Sequence, residues 1–331
     1  MRPARAFSER DAAYPLNRQF ECPACHASGS WVQVGKADAR QNSTVSKARC
    51  MRCDYAVAVK ASRTTPDVQV ARAELLDEHQ TLQRVASTFP QDGPYGTLVP
   101  LGYMDTDTGG VMLTRWFPGV DLVSHARTLG ADAAEGIWRS AGAWLRQLHL
   151  GDPAARCTQP LGTAEKVAHL LETCGAVLRS ESRTRLACGV LERAGMYIDE
   201  LPLPAARLHG DFKPTNMLCD GSRYIGLDIQ MKSIGAVAYD LAPFLNHLWL
   251  DTRTLRSFGS GRSHHAAEAA FLEGYGCAGE REMQALRWVQ LYFALRYLGR
   301  YKQRGMLSRV YANRRVMPLV SALTAKVQEA C

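Results

Sequence analysis

The chain has 331 residues and a formal net charge of +8, enough length for two domains and a core of ordinary size. No run approaches 18 apolar residues, which excludes a membrane-spanning helix of the usual kind. The charge is uneven, because Arg281–Cys331 holds ten Lys or Arg against two Glu and the rest of the chain is balanced. Residues 1–20 carry arginines without an apolar stretch, so they read as a flexible lead-in rather than a secretory signal. The ten Cys fall into two close pairs and scattered singles, and without an export signal they are expected to stay reduced in a cytoplasmic protein.

In chain order, the first chemistry-bearing pattern is Cys22-Pro-Ala-Cys25 and Cys50-Met-Arg-Cys53, with 24 residues between the pairs. Two such pairs at this range point to a four-thiolate zinc site. Strand-like runs at Ser30–Val34 and Ser43–Ser46 lie between them, joined by a polar hairpin, which is the build of a zinc ribbon. His26 beside the first pair reads as a bystander, and four free thiols or a redox pair are the other readings. Tyr55–Lys60 alternates as a strand and ends in Lys. Ala71–Leu82 is helical, with Leu75, Glu78 and Leu82 on one face and Glu74 one turn earlier. Thr97–Tyr103 and Gly110–Trp116 read as two strands around a turn at 105–109. Asp121 is placed to cap the helix that follows Phe117-Pro118-Gly119. From Ala131 the pattern is helical through Ala141–His149, and residues 163–200 add two more helices.

The stretch Leu208-His209-Gly210-Asp211-Phe212-Lys213-Pro214-Thr215-Asn216 cannot be a regular helix, because Gly210 and Pro214 interrupt it. A turn at Gly221-Ser222 follows, then a strand-like run over Tyr224–Ile229 that contains Asp228. Asp211, Asn216 and Asp228 offer three oxygen ligands, which suit Mg2+ with substrate phosphates. Asp211 and Lys213 on one loop suit a hydroxyl nucleophile and a phosphate.

The pattern His-Gly-Asp followed by Asn216, and then an apolar strand with Asp228, resembles the catalytic core of the aminoglycoside phosphotransferase and choline kinase group. The protein-kinase form is H-R-D-L-x-x-x-N followed by D-F-G. Gly210 in place of Arg and Ile229-Gln230 in place of Phe-Gly resemble the small-molecule branch. The resemblance covers roughly residues 55–250 and implies an α+β, two-lobed, protein-kinase-like fold. A small β-rich lobe with the zinc ribbon would span 21–117 and a larger helical lobe 118–331. It implies that Lys60 holds the ATP phosphates and is fixed by Glu78, with Glu74 as the rival. It places adenine against the backbone near Arg115 to Phe117, at the hinge between lobes. Asp211 would take the acceptor's proton, Asn216 and Asp228 would hold Mg2+, and Lys213 would neutralise charge on the phosphoryl group. Asp240, in Gly235–Ala242, would be a scaffold residue that receives backbone N–H bonds from the loop, and His209 and His149 would be structural. The glycine-rich phosphate loop of kinases has no counterpart, since the run from Gly35 to Asn42 contains one Gly.

The expected activity is ATP-dependent transfer to a hydroxyl of a small molecule: a sugar, an aminoglycoside-like compound or an anionic metabolite. The basic C-terminal region, with Arg287, Arg296, Arg300, Lys302, Arg304, Arg309, Arg314 and Arg315, leans toward an anionic acceptor or an acidic membrane surface. A long amphipathic helix is expected over Arg281–Gln303, with Trp288, Tyr292, Phe293 and Tyr297 as core aromatics. A protein kinase is one alternative, but Asp228 and Asp240 are too close to hold a peptide-docking segment. A non-catalytic module that uses the zinc ribbon to bind nucleic acid or a partner is the other, and it leaves the filled catalytic positions without a purpose.

Overall fold

The computed structural model describes residues 20–39, 43–62, 67–90, 92–107, 109–129, 131–250, 262–277 and 279–330. The lead-in expected over 1–20 therefore lies outside the described residues except for Phe20, as do residues 40–42 of the run between the first two strands. The chain divides into two compact units. The first comprises the chain up to Ser87 together with Thr97–Pro118, and the second comprises Thr88–Gly96 and the chain from Gly119 onward.

Alternating apolar residues build the first unit around one antiparallel sheet. Its strands are β1 (Trp31–Ala39), β2 (Ser43–Cys50) and β3 (Ala56–Ser62). After helix α1 (Val68–Ala86) and the short strand β4 (Tyr95–Thr97), which pairs elsewhere, come β5 (Pro100–Thr106) and β6 (Gly109–Arg115). The sheet order is β1-β2-β3-β6-β5. The first two strands run further than the sequence suggests. Gly35, at φ +76°, lies where the β1–β2 register shifts between Val34 and Asp38, so the strand continues past an irregularity. The register sets Val45 opposite Lys60, and Lys60 opposite Met112.

Successive side chains of a strand point to opposite faces. On one face, Val57 and Val59 join Ala48, Cys50, Val111, Leu113, Trp31 and Cys22 in a buried cluster. Lys60 alternates to the other face. Helix α1 packs on β5 and β6, burying Ala71, Leu75, His79, Leu82 and Val85. Asp67 caps it by accepting from the N–H groups of Gln69 and Val70, which satisfies two of the donors that a helix start leaves open.

The second unit is mostly helical. Strand β7 (Val120–Asp121) leads into helix α2 (Leu122–Ala126), which Asp121 caps at the Ser124 N–H, 3.0 Å away. Next come α3 (Ala131–Leu150), β8 (Cys157–Gln159), α4 (Thr163–Leu178), α5 (Ser182–Ile198) and β9 (Leu203–Arg207). Strands β10 (Met217–Cys219), β11 (Tyr224–Gly226) and β12 (Ile234–Ala236) precede helices α6 (Ala238–Leu250), α7 (Arg262–Tyr275), α8 (Glu280–Lys302), α9 (Met306–Tyr311) and α10 (Met317–Glu329). Two small sheets, β4-β11-β10-β7 and β12-β9-β8, flank the loop 208–216. Of the aromatics on α8, Trp288 and Tyr292 are buried, whereas Phe293 and Tyr297 are half-buried.

The helices come together through glycines and a stack of rings. A Cβ on Gly142 of α3 would collide with the Phe271 carbonyl of α7, and one on Gly274 of α7 would collide with the Arg139 carbonyl of α3. Around this crossing, Phe212 stacks between Trp144, at 5.7 Å between centroids, and Phe244, at 5.0 Å. Phe244 in turn stacks on Phe271 at 4.3 Å. We expect Gly142→Ala to destabilise the second unit by about 1–3 kcal/mol, since overpacking forces backbone shifts. Gly136→Ala on the same helix, where a Cβ meets nothing within 4 Å, should be neutral or stabilising by up to about 1 kcal/mol. Thermal melts of the two variants provide the check.

Candidate active site

The loop 208–216 is anchored at both ends by backbone bonds to the segment after β11. The Leu208 N–H donates to the Ser233 carbonyl at 2.9 Å, Gln230 N–H to the His209 carbonyl at 2.9 Å, and Leu227 N–H to the Asn216 carbonyl at 2.8 Å. The expected strand over Tyr224–Ile229 is shorter: β11 ends at Gly226, the Leu227–Asn216 bond continues the hairpin register by one more pair, and the chain then turns. Asp228 then sits beyond the strand in the left-handed region, at φ +52°, which is uncommon for a residue other than Gly.

Within the loop, Asp211 Oδ2 accepts from Lys213 Nζ at 2.6 Å and from Asn216 Nδ2 at 2.9 Å. Asn216 Nδ2 also donates to the Asp211 carbonyl at 2.9 Å. With its amide nitrogen spent in this way, Asn216 keeps its carbonyl oxygen as an acceptor. Asn216 is buried and Asp228 half-buried. Asp211, Lys213 and Asn216 are thus brought together, and Asp228 lies one residue from the Leu227–Asn216 bond.

Beneath the loop lies Asp240 at the start of α6, 1% exposed. Its oxygens accept from the His209 N–H at 2.6 Å and the Gly210 N–H at 3.0 Å. His149 Nε2 lies 3.0 Å from the same carboxylate, and its Nδ1 lies 2.9 Å from the Tyr275 hydroxyl. Burial alone would raise the Asp240 pKa, but the His149 hydrogen bond and the backbone donors outweigh it and hold the group below the ordinary carboxylate value. Burial lowers the pKa of His209, and its Nδ1 accepts from the Asp211 N–H at 3.3 Å. Accepting at Nδ1, the neutral ring carries its proton on Nε2, a buried atom with no hydrogen-bond partner among the described residues, and the ring packs against Trp144 and Phe212. The partners of His149 escaped sequence reasoning; the only signal was a His ending α3.

In the first unit, Lys60 Nζ meets Glu78 Oε1 at 2.7 Å and Oε2 at 2.8 Å. Both side chains are about one-fifth exposed, at 19% and 22%. The rival Glu74 lines the same cavity of about 210 Å3, with Ser43, Ser62, Ala71 and Leu75. The two serines carried no recognisable signal in the sequence. Arg115 is exposed and donates through Nε to the Tyr55 hydroxyl at 3.1 Å. Its backbone N–H is taken by Val99, and that of Trp116 by Ala56. Phe117 is half-buried and follows the last of these bonds.

The four cysteines cluster on the opposite face of the sheet. Cys22 Sγ lies 3.6 Å from Cys53 Sγ, and Cys25 Sγ lies 3.6 Å from Cys50 Sγ. All four sulfurs lie within 4.8 Å of one another. Disulfide sulfurs would be about 2.05 Å apart, whereas four thiolates about 2.3 Å from a central zinc are about 3.8 Å apart. The two pairs form matching turns. The His26 N–H donates to the Cys22 carbonyl and the Asp54 N–H to the Cys50 carbonyl, each at 2.9 Å. His26 and Asp54 both take positive φ, at 57° and 62°, and the exposed His26 is paired with Glu21. Cys53 is not on the strand that carries Lys60, which begins at Ala56. It closes a turn, and Cys50, the last residue of β2, connects the cluster to the sheet.

A model of the phosphotransferase enzyme family matches residues 59–288, which include Lys60, Glu78, the loop and Asp240. The chain belongs to this family. Residues before 59, with β1, β2 and all four clustered cysteines, lie outside the match. A search of curated protein sequences returns no match. Among solved structures, the chain is similar to a thermostable mutant of an aminoglycoside phosphotransferase in ternary complex with AMP-PNP and hygromycin B, at 11% identity and a TM-score of 0.57, over 93% of this chain and 96% of that one. It is similar to a putative fructosamine-3-kinase from Thermobifida fusca, at 18% identity and a TM-score of 0.53, over 89% and 93%. It is also similar to a Plasmodium vivax ethanolamine kinase, at 10% identity and a TM-score of 0.55, over 91% and 85%. The fold is the α+β protein-kinase-like fold of these enzymes. No described helix is long and apolar enough to cross a membrane.

Removing the Asp240 carboxylate takes away the acceptor of the His209 and Gly210 amides and the partner of His149 Nε2 in the interior. Asp240→Ala is expected to cost about 3–5 kcal/mol of stability near neutral pH. Because the folded-state pKa is depressed, the stabilisation from ionised Asp240 is present above about pH 3.9, the unfolded value, and is lost as pH falls toward the folded pKa. Denaturant melts of the two proteins should therefore differ at pH 7 and draw together in acid.

Proposed function

We propose that the chain is an ATP-dependent phosphotransferase that moves the γ-phosphoryl group to a hydroxyl of a small molecule. The observation that carries this reading is the placement of Asp211, whose Oδ2 is held by Lys213 and Asn216 on a loop clamped from below by Asp240. Asp211 takes the proton of the acceptor hydroxyl as its oxygen bonds to the γ-phosphorus, and the bond to the bridging oxygen breaks with release of ADP. Lys213, already beside the carboxylate, offsets charge on the transferred group. Phosphoryl transfer depends chiefly on such positioning and electrostatics.

Lys60, fixed by Glu78, binds the α- and β-phosphates. The backbone of Phe117, beyond the last sheet bond, is offered to the adenine edge, with the Arg115 side chain alongside. Asn216 and Asp228 would hold Mg2+, and their oxygens suit a hard cation. Bound there, the ion would neutralise phosphate charge. Asp240 and His209 position the loop. Zn2+ would be held by Cys22, Cys25, Cys50 and Cys53 as a closed structural centre. The four thiolates leave no open position for chemistry.

An anionic acceptor is favoured. Burial pushes the Tyr297 phenol up to about 12, with the Asp211 carboxylate adding to the shift and Arg296 and Arg300 opposing it. Along α8 the chain carries Arg296 and Arg300 and no Asp or Glu after Glu282, a balance that leans toward an anionic acceptor. The protein-kinase reading finds little support, since the run from Asp228 to Asp240 is occupied by β12 paired to β9 and the start of α6.

Turnover of ATP against a panel of hydroxylated acceptors, including carboxylated and phosphorylated sugars, tests the reading. Asp211→Ala and Asp228→Ala should each lower kcat by about 10²–10⁴-fold with the fold retained by circular dichroism. Near-normal turnover in either variant would overturn the assignment, and ATP binding without transfer to any acceptor would favour a binding module. Metal analysis of the purified protein should return one zinc per chain, and chelation should weaken ATP binding while the second unit stays folded. Four freely titratable thiols in the folded protein would rule the centre out.

A further inference from the structure

Helix α9 combines two features that a soluble surface rarely presents together. It has no buried residue, and its largest apolar side chains face solvent: Met306 at 78% exposure, Leu307 at 82% and Val310 at 43%. Single exposed apolar residues are ordinary, but adjacent ones on one projecting turn form a patch. The surroundings are cationic. From Met283 to Gln328 the chain carries nine Lys or Arg and no Asp or Glu. Arg304, Arg309 and Arg314 are exposed around the turn.

The turn is held rigidly. The Tyr301 and Tyr311 rings meet at 4.9 Å across it, Arg309 Nε donates to the Lys302 carbonyl at 3.0 Å, and Lys302 itself is buried and ion-paired with Glu181. The apolar side chains are therefore presented to solvent by a supported hairpin.

We propose that α9 and its flanking arginines dock the protein on an anionic lipid surface, with Met306 and Leu307 entering the acyl boundary and Arg304, Arg309 and Arg314 at the headgroup phosphates. Charge decides among occupants. A second copy across a two-fold axis would set the same arginines against one another. A nucleic acid would match the arginines but leave Met306 and Leu307 in water. An anionic bilayer answers both features, since apolar insertion and basic residues near the surface reinforce each other. The inference stands apart from the proposed phosphotransferase activity, because none of these residues belongs to the catalytic loop or the nucleotide-binding set.

Co-sedimentation of the full chain with vesicles of phosphatidylcholine, with and without phosphatidylserine, tests it. Binding is expected only with phosphatidylserine and should weaken as salt rises. Arg304→Gln with Arg314→Gln should weaken it by about 30-fold, at about fivefold per charge. Met306→Ser with Leu307→Ser should weaken it by at least about tenfold, and both double variants should keep the wild-type melting temperature and ATP turnover. Equal sedimentation with both vesicle types, or variants that bind like wild type, would overturn the proposal. So would concentration-dependent dimerisation that Met306→Ser with Leu307→Ser abolishes, or retention by a duplex or an acidic protein without vesicle binding.

Discussion

The buried carboxylate of Asp240 is the constraint on which the loop 208–216 depends. Isolated in the interior, an ionised carboxylate is expensive. Here two successive amides, His209 and Gly210, and the His149 imidazole engage it. Because both oxygens are used, the His209–Gly210 peptide is held in one orientation. The chain leaves it through Gly210 at φ +88°, where a Cβ would press to 3.0 Å from the Gln230 side chain. On the far side of Asp211, the Phe212 ring is locked between Trp144 and Phe244. Asp211 is thus fixed from both sides by groups other than its own carboxylate, whose Oδ2 accepts from Lys213 and Asn216. This is preorganisation by supporting contacts.

In the first unit the corresponding constraint is register. A one-residue slip of β3 would carry Lys60 into the cluster with Val111 and Leu113, and would turn Val59 outward. The apolar alternation resists that slip, and the cysteine turns strengthen the resistance. Cys50 ends β2 and packs in the same cluster as Val57 and Val59. Trp31, paired with Cys50 in register, covers the start of β1 and donates its indole N–H to the Phe20 carbonyl at 3.0 Å. Among the described residues before position 55, Trp31 and Ala48 are buried in that cluster beside Cys22 and Cys50, so a metal there would complete a core that side chains alone leave small.

Much of this was legible where chemistry is local. Gly210, Pro214 and the spacing of Asp211, Lys213 and Asn216 marked the loop. The alternation ending at Lys60 and the helical face of Leu75, Glu78 and Leu82 offered Glu78 as the partner of Lys60 and left Glu74, one turn earlier, as the rival; the hydrogen bonds to both Glu78 oxygens decide between them. Asp228 was legible as a residue but not in its conformation, because an Asp at positive φ carries no mark in an apolar, strand-like run. His149 and Asp240 lie 91 positions apart, and no local pattern announces such a partner. The likeness of the two cysteine turns, each followed by a residue at positive φ, was hidden because His26 and Asp54 are chemically unlike and share only their backbone shape.

The placement of the cysteine centre also follows from charge. Four thiolates around a zinc dication sum to a formal charge of about −2. Close to a nucleotide such a centre would oppose the phosphates that Lys60 is proposed to bind. The alternation of β3 removes the conflict, since Val57 and Val59 face the cysteines while Lys60 faces the cavity lined by Glu78. The same strands can therefore carry an anionic structural centre on one face and a phosphate-binding cation on the other. This arrangement explains how the segment before residue 59 can differ from the family pattern without disturbing the strand that presents Lys60.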